Sequence, residues 1–189
     1  MEGTSKTNNK RKREKRKALR EMLEDIALIL FVVIVVMVLQ NYIIVNARIP
    51  SGSMETTIMT GDRVFGNRLA YRDETPQRGD IVIFKYPDNE NELFIKRVIG
   101  LPGEKIQIID GLVYINDSKE PLEEPYLTVV PVGSYGPYEV PEGHYFMLGD
   151  NRNASKDSRL WNNPYVAENK ILAKAVFRYF PFHTMGTIE

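Results

Sequence analysis

The 189-residue chain has no cysteine and two histidines, His144 and His183, which excludes disulfides, thiolate nucleophiles and a histidine-rich metal site. Its zero net charge balances opposite halves: residues 1–20 carry nine Lys/Arg against two Glu, and residues 21–189 carry 16 basic against 23 acidic side chains. Neither cofactor nor metal is expected, and about 140 residues lie beyond the tail and the apolar run, enough for one domain with its own core.

The basic tail, residues 1–25, abuts an apolar run, so it reads as a cytoplasmic segment attracted to anionic lipid rather than as a nucleic-acid arm. From Ile26 to Leu39 fourteen consecutive residues are apolar, and after Gln40 and Asn41 the run resumes to Val45. As a helix, residues 26–45 are long enough to cross a hydrocarbon core about 30 Å thick. The basic excess before the run predicts a cytoplasmic N-terminus in a cell membrane, a single pass, and an extracytoplasmic domain over residues 46–189. A cleaved secretory signal is the alternative, because its apolar core also runs to about 7–15 residues, and Val45-Asn46-Ala47 offers a small-residue site before Arg48.

Beyond Ala47 the pattern is that of β structure. Residues 80–85, 94–99, 105–109, 112–115, 145–148 and 174–180 are short β-branched or aromatic runs, separated by turns rich in Gly, Pro and Asp. Asp110-Gly111 between two such runs predicts a hairpin. The expected fold is mainly β: a transmembrane helix, then an antiparallel, barrel-like domain with a smaller β extension over residues 110–145. Residues 116–141, rich in Pro, Gly and Glu, would form its surface part.

Two residues carry the chemistry. Ser53 sits in Pro50-Ser51-Gly52-Ser53-Met54, where Pro50 stiffens the backbone and Gly52 permits close approach. A serine needs a base to act as nucleophile, and the Ser53 amide with the Ser51 hydroxyl could stabilise an oxyanion. The same four residues also read as an ordinary loop. Lys96 lies in Leu93-Phe94-Ile95-Lys96-Arg97-Val98, where strand alternation puts it on one face with Phe94 and Val98. An inward lysine there is costly unless neutral, and general-base work needs its pKa lowered from about 10.4 toward about 7–8. Alternatively Lys96 faces solvent with Arg97 inward, or pairs with an acid.

Pro50-Ser51-Gly52-Ser53-Met54, Gly61-Asp62-Arg63-Val64, Lys96-Arg97-Val98-Ile99-Gly100-Leu101-Pro102-Gly103-Glu104 and the run from Gly149-Asp150-Asn151-Arg152 to Asp157-Ser158-Arg159 resemble, in order, the four boxes of type I signal peptidases. The length resembles the short Gram-positive form. The resemblance implies a membrane-anchored serine endopeptidase that removes signal peptides from exported preproteins after small residues at −1 and −3. Ser53 would be the acylating nucleophile and Lys96 the general base. By the same likeness Ser51 would serve the oxyanion site, Ser155 would orient the Lys96 amine, Gly149 would leave room beside it, and Asp157 with Arg159 would form a supporting ion pair. An extended substrate would add as a strand, with Ile49, Met54, Phe94 and Ile95 walling its shallow pockets. The implied partners are signal peptides, the bilayer and a nearby export translocon, with no nucleic acid.

The sequence departs from the family pattern at Thr56, where proline is common; this frees a backbone angle but removes no catalytic atom. His144 lacks a placed acid partner and reads as non-catalytic, and His183 beside Pro181 as a surface residue. Two other classes stay open: an inactive membrane-anchored binding module, and a self-cleaving serine-lysine repressor whose tail binds DNA, against which the apolar span counts.

Overall fold

The computed structural model describes residues 3–188, so Met1 and Glu2 of the basic tail and Glu189 of the β domain lie outside the described residues. The chain divides into two units, Met1–Asn41 and Tyr42–Glu189.

The first unit is a single helix, α1 (Gly3–Val38), which runs on into a π-helical turn, Leu39–Ile43. Leu19–Ile43 has a mean hydropathy of 2.8 and none of it is buried, so it is long and apolar enough to cross a membrane. A helix apolar all round and unburied is stable only in an apolar solvent. Ile44 and Val45, which the apolar run assigns to the helix, instead begin β1 (Ile44–Arg48), where Val45 is buried against Ile83 and Ala173. Apolarity alone cannot separate a helix end from an adjoining buried strand.

The second unit is mainly antiparallel β. After β1 come β2 (Arg63–Asn67), β3 (Ile81–Tyr86) and β4 (Asn89–Gly100). There follow β5 (Lys105–Ile109), β6 (Leu112–Ile115), β7 (Tyr135–Glu139) and β8 (His144–Leu148). The chain closes with β9 (Tyr165–Ala167), β10 (Ile171–Phe180) and β11 (Gly186–Thr187). The larger sheet has the order β1-β2-β10-β3-β4-β8-β9, with β11 paired to β10, and the smaller is β6-β5-β7. The late strand β10 thus lies between β2 and β3.

All six expected runs are strands. At the β5-β6 turn Asp110 and Gly111 have φ of 50° and 85°, the positive pair that a two-residue hairpin turn demands. The extension starts earlier than expected: the smaller sheet includes all of β5, while His144 and Tyr145 belong to the larger sheet. Val45-Asn46-Ala47 pairs with Gly66, Phe65 and Val64, so cleavage there would require β1 to leave the sheet.

Alternation along β4 divides the core. Val98 and the half-buried Phe94 face a cluster of Val82, Phe84, Tyr86, Met147 and Trp161, in which Tyr86 stacks on Phe94 at 4.4 Å between centroids. Ile99 joins Ile106, Ile108, Phe146 and Leu148 in a second cluster where the two sheets meet. The close approach needs Gly100, because a Cβ there would come within 2.8 Å of the Phe146 Cβ.

Candidate active site

Ser53 lies in the loop from β1 to β2, whose neck is closed by Ile49 N–H donating to the Asp62 carbonyl (2.9 Å) and Gly61 N–H to the Ile49 carbonyl (2.8 Å). The Asp62 carboxylate accepts the Met59 amide (2.9 Å) and the Arg178 guanidinium (3.1 Å), tying the loop to β10. Met54 and Ile58 are fully buried beneath it. These anchors fix the loop while Ser51 stays exposed on its rim. Thr56 is exposed too, and its peptide bond to Glu55 is cis.

Lys96 reaches this loop from β4. Its Nζ lies 2.6 Å from Ser53 Oγ and donates to the Ile95 carbonyl at 2.9 Å. Ser53 is 7% and Lys96 3% exposed. Burial holds the Lys96 pKa down at about 8, against the opposing pull of the Asp157 and Asp150 carboxylates. The neutral amine, the state in which it can accept a proton, is therefore far more populated near physiological pH than in an exposed lysine, although the ammonium is still the major form. Lys96 and Arg97 are both buried, so the choice between them that the sequence left open does not arise.

The run 149–159 packs against both. The Asn151 amide donates to the Ser53 carbonyl (3.1 Å) and its side chain to the Gly52 carbonyl (3.0 Å). A Cβ on Gly149 would overlap Ser155 Oγ and the Ser53 carbonyl oxygen, so glycine is required there. Asp157 and Arg159 form the expected ion pair, two bonds of 2.8 Å, and Asp157 also accepts the Gly149 amide (3.1 Å). Ser155 is buried, yet its Oγ has no hydrogen-bond partner among the described residues, so the expected bond to Lys96 is not made. His144 lies apart, its Nδ1 2.9 Å from the Glu142 carbonyl, and His183 is exposed.

A groove of about 250 Å³ opens over the dyad, and Phe94 and Ile95 line it as expected. Ile49 and Met54 do not: at 2% and 0% exposure they pack with Ile58 and Val64 under the loop, because alternation out of β1 turns them into the core. Pro50, Leu93, Ala154 and Lys156 take their place on the walls. Sequence reasoning also missed Arg97 as a structural cation. It makes two bonds to Asp150 (2.9 and 2.7 Å), and Thr57 donates to the same carboxylate (2.5 Å). Two adjacent basic residues on an apolar strand, followed far downstream by a turn that holds Asp150 and Asp157, were the available signal. Arg152 likewise pairs with Glu124, clamping the Pro- and Glu-rich segment onto the site. Among the described residues no group of three or more His, Cys, Asp or Glu could hold a metal ion.

Residues 22–180 match the family described as "Signal peptidase, peptidase S26". The chain belongs to this family. It is 41% identical over 145 residues to a probable signal peptidase I-2 of Synechocystis sp., an alignment covering 74% of this chain and 65% of that one. To a signal peptidase I of Leptolyngbya laminosa it is 37% identical over 179 residues, covering 91% of this chain and 86% of the relative. The chain thus spans slightly under two thirds of the first relative's length. A crystal structure of a signal peptidase I from Enterococcus faecalis V583 is 34% identical, with a TM-score of 0.46 covering 53% of this chain and 97% of that one.

Proposed function

We propose that the protein is a membrane-anchored serine endopeptidase that removes N-terminal signal peptides from exported preproteins, with Ser53 as nucleophile and Lys96 as general base. The observation that carries this reading is the buried 2.6 Å approach of Lys96 Nζ to Ser53 Oγ beside an open groove. Family membership supports the reaction class.

The neutral Lys96 amine takes the Ser53 proton as Oγ attacks the scissile carbonyl, and the resulting ammonium then protonates the leaving amine. The bond to the Ile95 carbonyl holds one amine hydrogen away from Ser53, which leaves the lone pair for the hydroxyl. Ser51 and the Ser53 amide receive the oxyanion, an interaction worth about 3 kcal/mol in comparable sites. Water then hydrolyses the acyl-enzyme with Lys96 again as base. In the groove of about 250 Å³ walled by Pro50, Leu93, Phe94 and Ile95, alanine-sized side chains at −1 and −3 would be accepted and large ones refused, as the family resemblance implies. The single pass in the cell membrane, with a cytoplasmic N-terminus, puts enzyme and the apolar helix of its preprotein in one bilayer, near the translocon. That shared surface raises the effective substrate concentration.

Ser53→Ala and Lys96→Ala, assayed on a preprotein with an Ala-x-Ala site, should each lose at least about a thousandfold in rate. Parental rates in both would remove Ser53 and Lys96 as the catalytic pair, and no cleavage by the parent itself would leave a binding module on this fold.

A further inference from the structure

Two charged side chains line the groove, Lys96 and Lys156, and no acidic one does among the described residues. Lys96 is buried and committed to Ser53, whereas Lys156 is exposed on the wall that Ala154 begins. Its place is fixed from both sides. Ser155 and Asp157 are buried, so the backbone that carries Lys156 is held and its side chain turns outward. The ammonium lies 5.2 Å from the centroid of the Tyr86 ring, within cation–π range. That ring is rigid: it stacks on Phe94, and its hydroxyl donates to Asp88 (2.9 Å), which in turn accepts the amides of Asn162 and Asn163 (2.9 and 2.8 Å). Lys156 also interacts with the Tyr86 hydroxyl and is attracted to the Asp88 carboxylate behind it, which helps to hold the ammonium in place. A positioned, exposed cation on a groove whose lining holds no carboxylate creates a local positive potential along the path of the polypeptide, with Asp88 behind it and outside the lining.

We propose that Lys156 is a specificity-determining residue that sets a charge preference in the substrate, favouring Asp or Glu and disfavouring Lys or Arg at one side chain that passes it. The inference rests on the peptidase reading. In an extended substrate, side chains alternate, so those at −1 and −3 enter the apolar pockets while −2 and −4 point away from them and meet the charged wall. Charge there acts on binding rather than on the reacting atoms, so it changes KM more than kcat.

The test uses the full-length protein in detergent and peptides with Ala at −1 and −3 and Asp or Lys at −2 or −4. The quantity read is the Asp-to-Lys ratio of kcat/KM within each variant, which cancels any general loss of activity. The parent should favour Asp by about three- to tenfold at one of the two positions, the scale of exposed charge pairs. Lys156→Ala should bring the ratio near one and Lys156→Glu should invert it, and about 1 M salt should flatten all three. A ratio that Lys156→Glu leaves unchanged overturns the proposal. Binding of the same fluorescein-labelled peptides to Ser53→Ala, with and without Lys156→Glu, reads the ratio without cleavage. No cleavage by the parent together with a Lys156-dependent ratio in binding would sink the peptidase reading alone; cleavage with a ratio indifferent to Lys156 would sink this one alone.

Discussion

The two faces of β4 bury neighbouring cations at 3% exposure each and treat them in opposite ways. On one face the Arg97 guanidinium is fully engaged: two bonds to Asp150, one to the Gly79 carbonyl (2.7 Å), and the ring of Tyr126 at 3.8 Å. On the other, Lys96 meets a hydroxyl, a carbonyl and, at 5.4 Å, the Phe94 ring, with the carboxylates kept out of contact. Burial alone therefore does not make a reactive group; burial without a charged partner does. Arginine suits the first role because it stays charged and binds a carboxylate in a fork, and lysine suits the second because it can give up its proton.

The largest expected effect tests the paired face. Asp150→Ala strands the buried Arg97 charge and unties Thr57, so denaturation of the detergent-solubilised protein should show a loss of about 3–5 kcal/mol. A loss under about 1 kcal/mol would mean the two faces do not differ as described. Next comes the face without a charged partner, where Lys96→Met should gain about 3 kcal/mol at pH 7 while losing activity. The folded pKa of about 8 lies below the unfolded value, so between the two the unfolded chain holds the extra proton. The parent's stability therefore rises with pH through that window. The advantage of Lys96→Met is full below about pH 8 and gone above about pH 10.4. A pH-independent difference would remove charge burial as its cause. The smallest effect is kinetic: because the neutral amine is the active form, kcat/KM should climb about tenfold from pH 7 to 9 and then level. A rise that begins only near pH 10 would mean that Lys96 behaves as an exposed lysine.

Much of this was legible in the sequence where one pattern dominates. Asp110-Gly111 announced its hairpin, and the alternation Phe94, Lys96, Val98 put the lysine on the correct face. Gly149, and the pairing of Asp157 with Arg159, came from the resemblance to a family, and each has a local physical reason in the fold. The missed elements are those whose partners lie far away in sequence. β7 contains Gly136 and Pro137 and is a strand only because β5 supplies its ladder, and β2 contains Gly66, where a Cβ would press on Ala173 and Ile83. The family resemblance puts Ile49 and Met54 on the groove walls, but in the fold both pack with Ile58 and Val64 in the core beneath the loop. Nothing local marks Glu124 as the partner of Arg152, 28 residues on.

The placing of β10 between β2 and β3 has a consequence for biosynthesis. The hairpin that leads to Ser53 and the β3-β4 pair that carries Lys96 are joined across the sheet by a segment made after both, residues 171–180. A chain emerging N-terminus first holds its serine early, its lysine later, and the strand that unites them later still. Ser53 and Lys96 are therefore both made before the strand that joins their parts of the sheet, and their pairing forms only once β10 has taken its place.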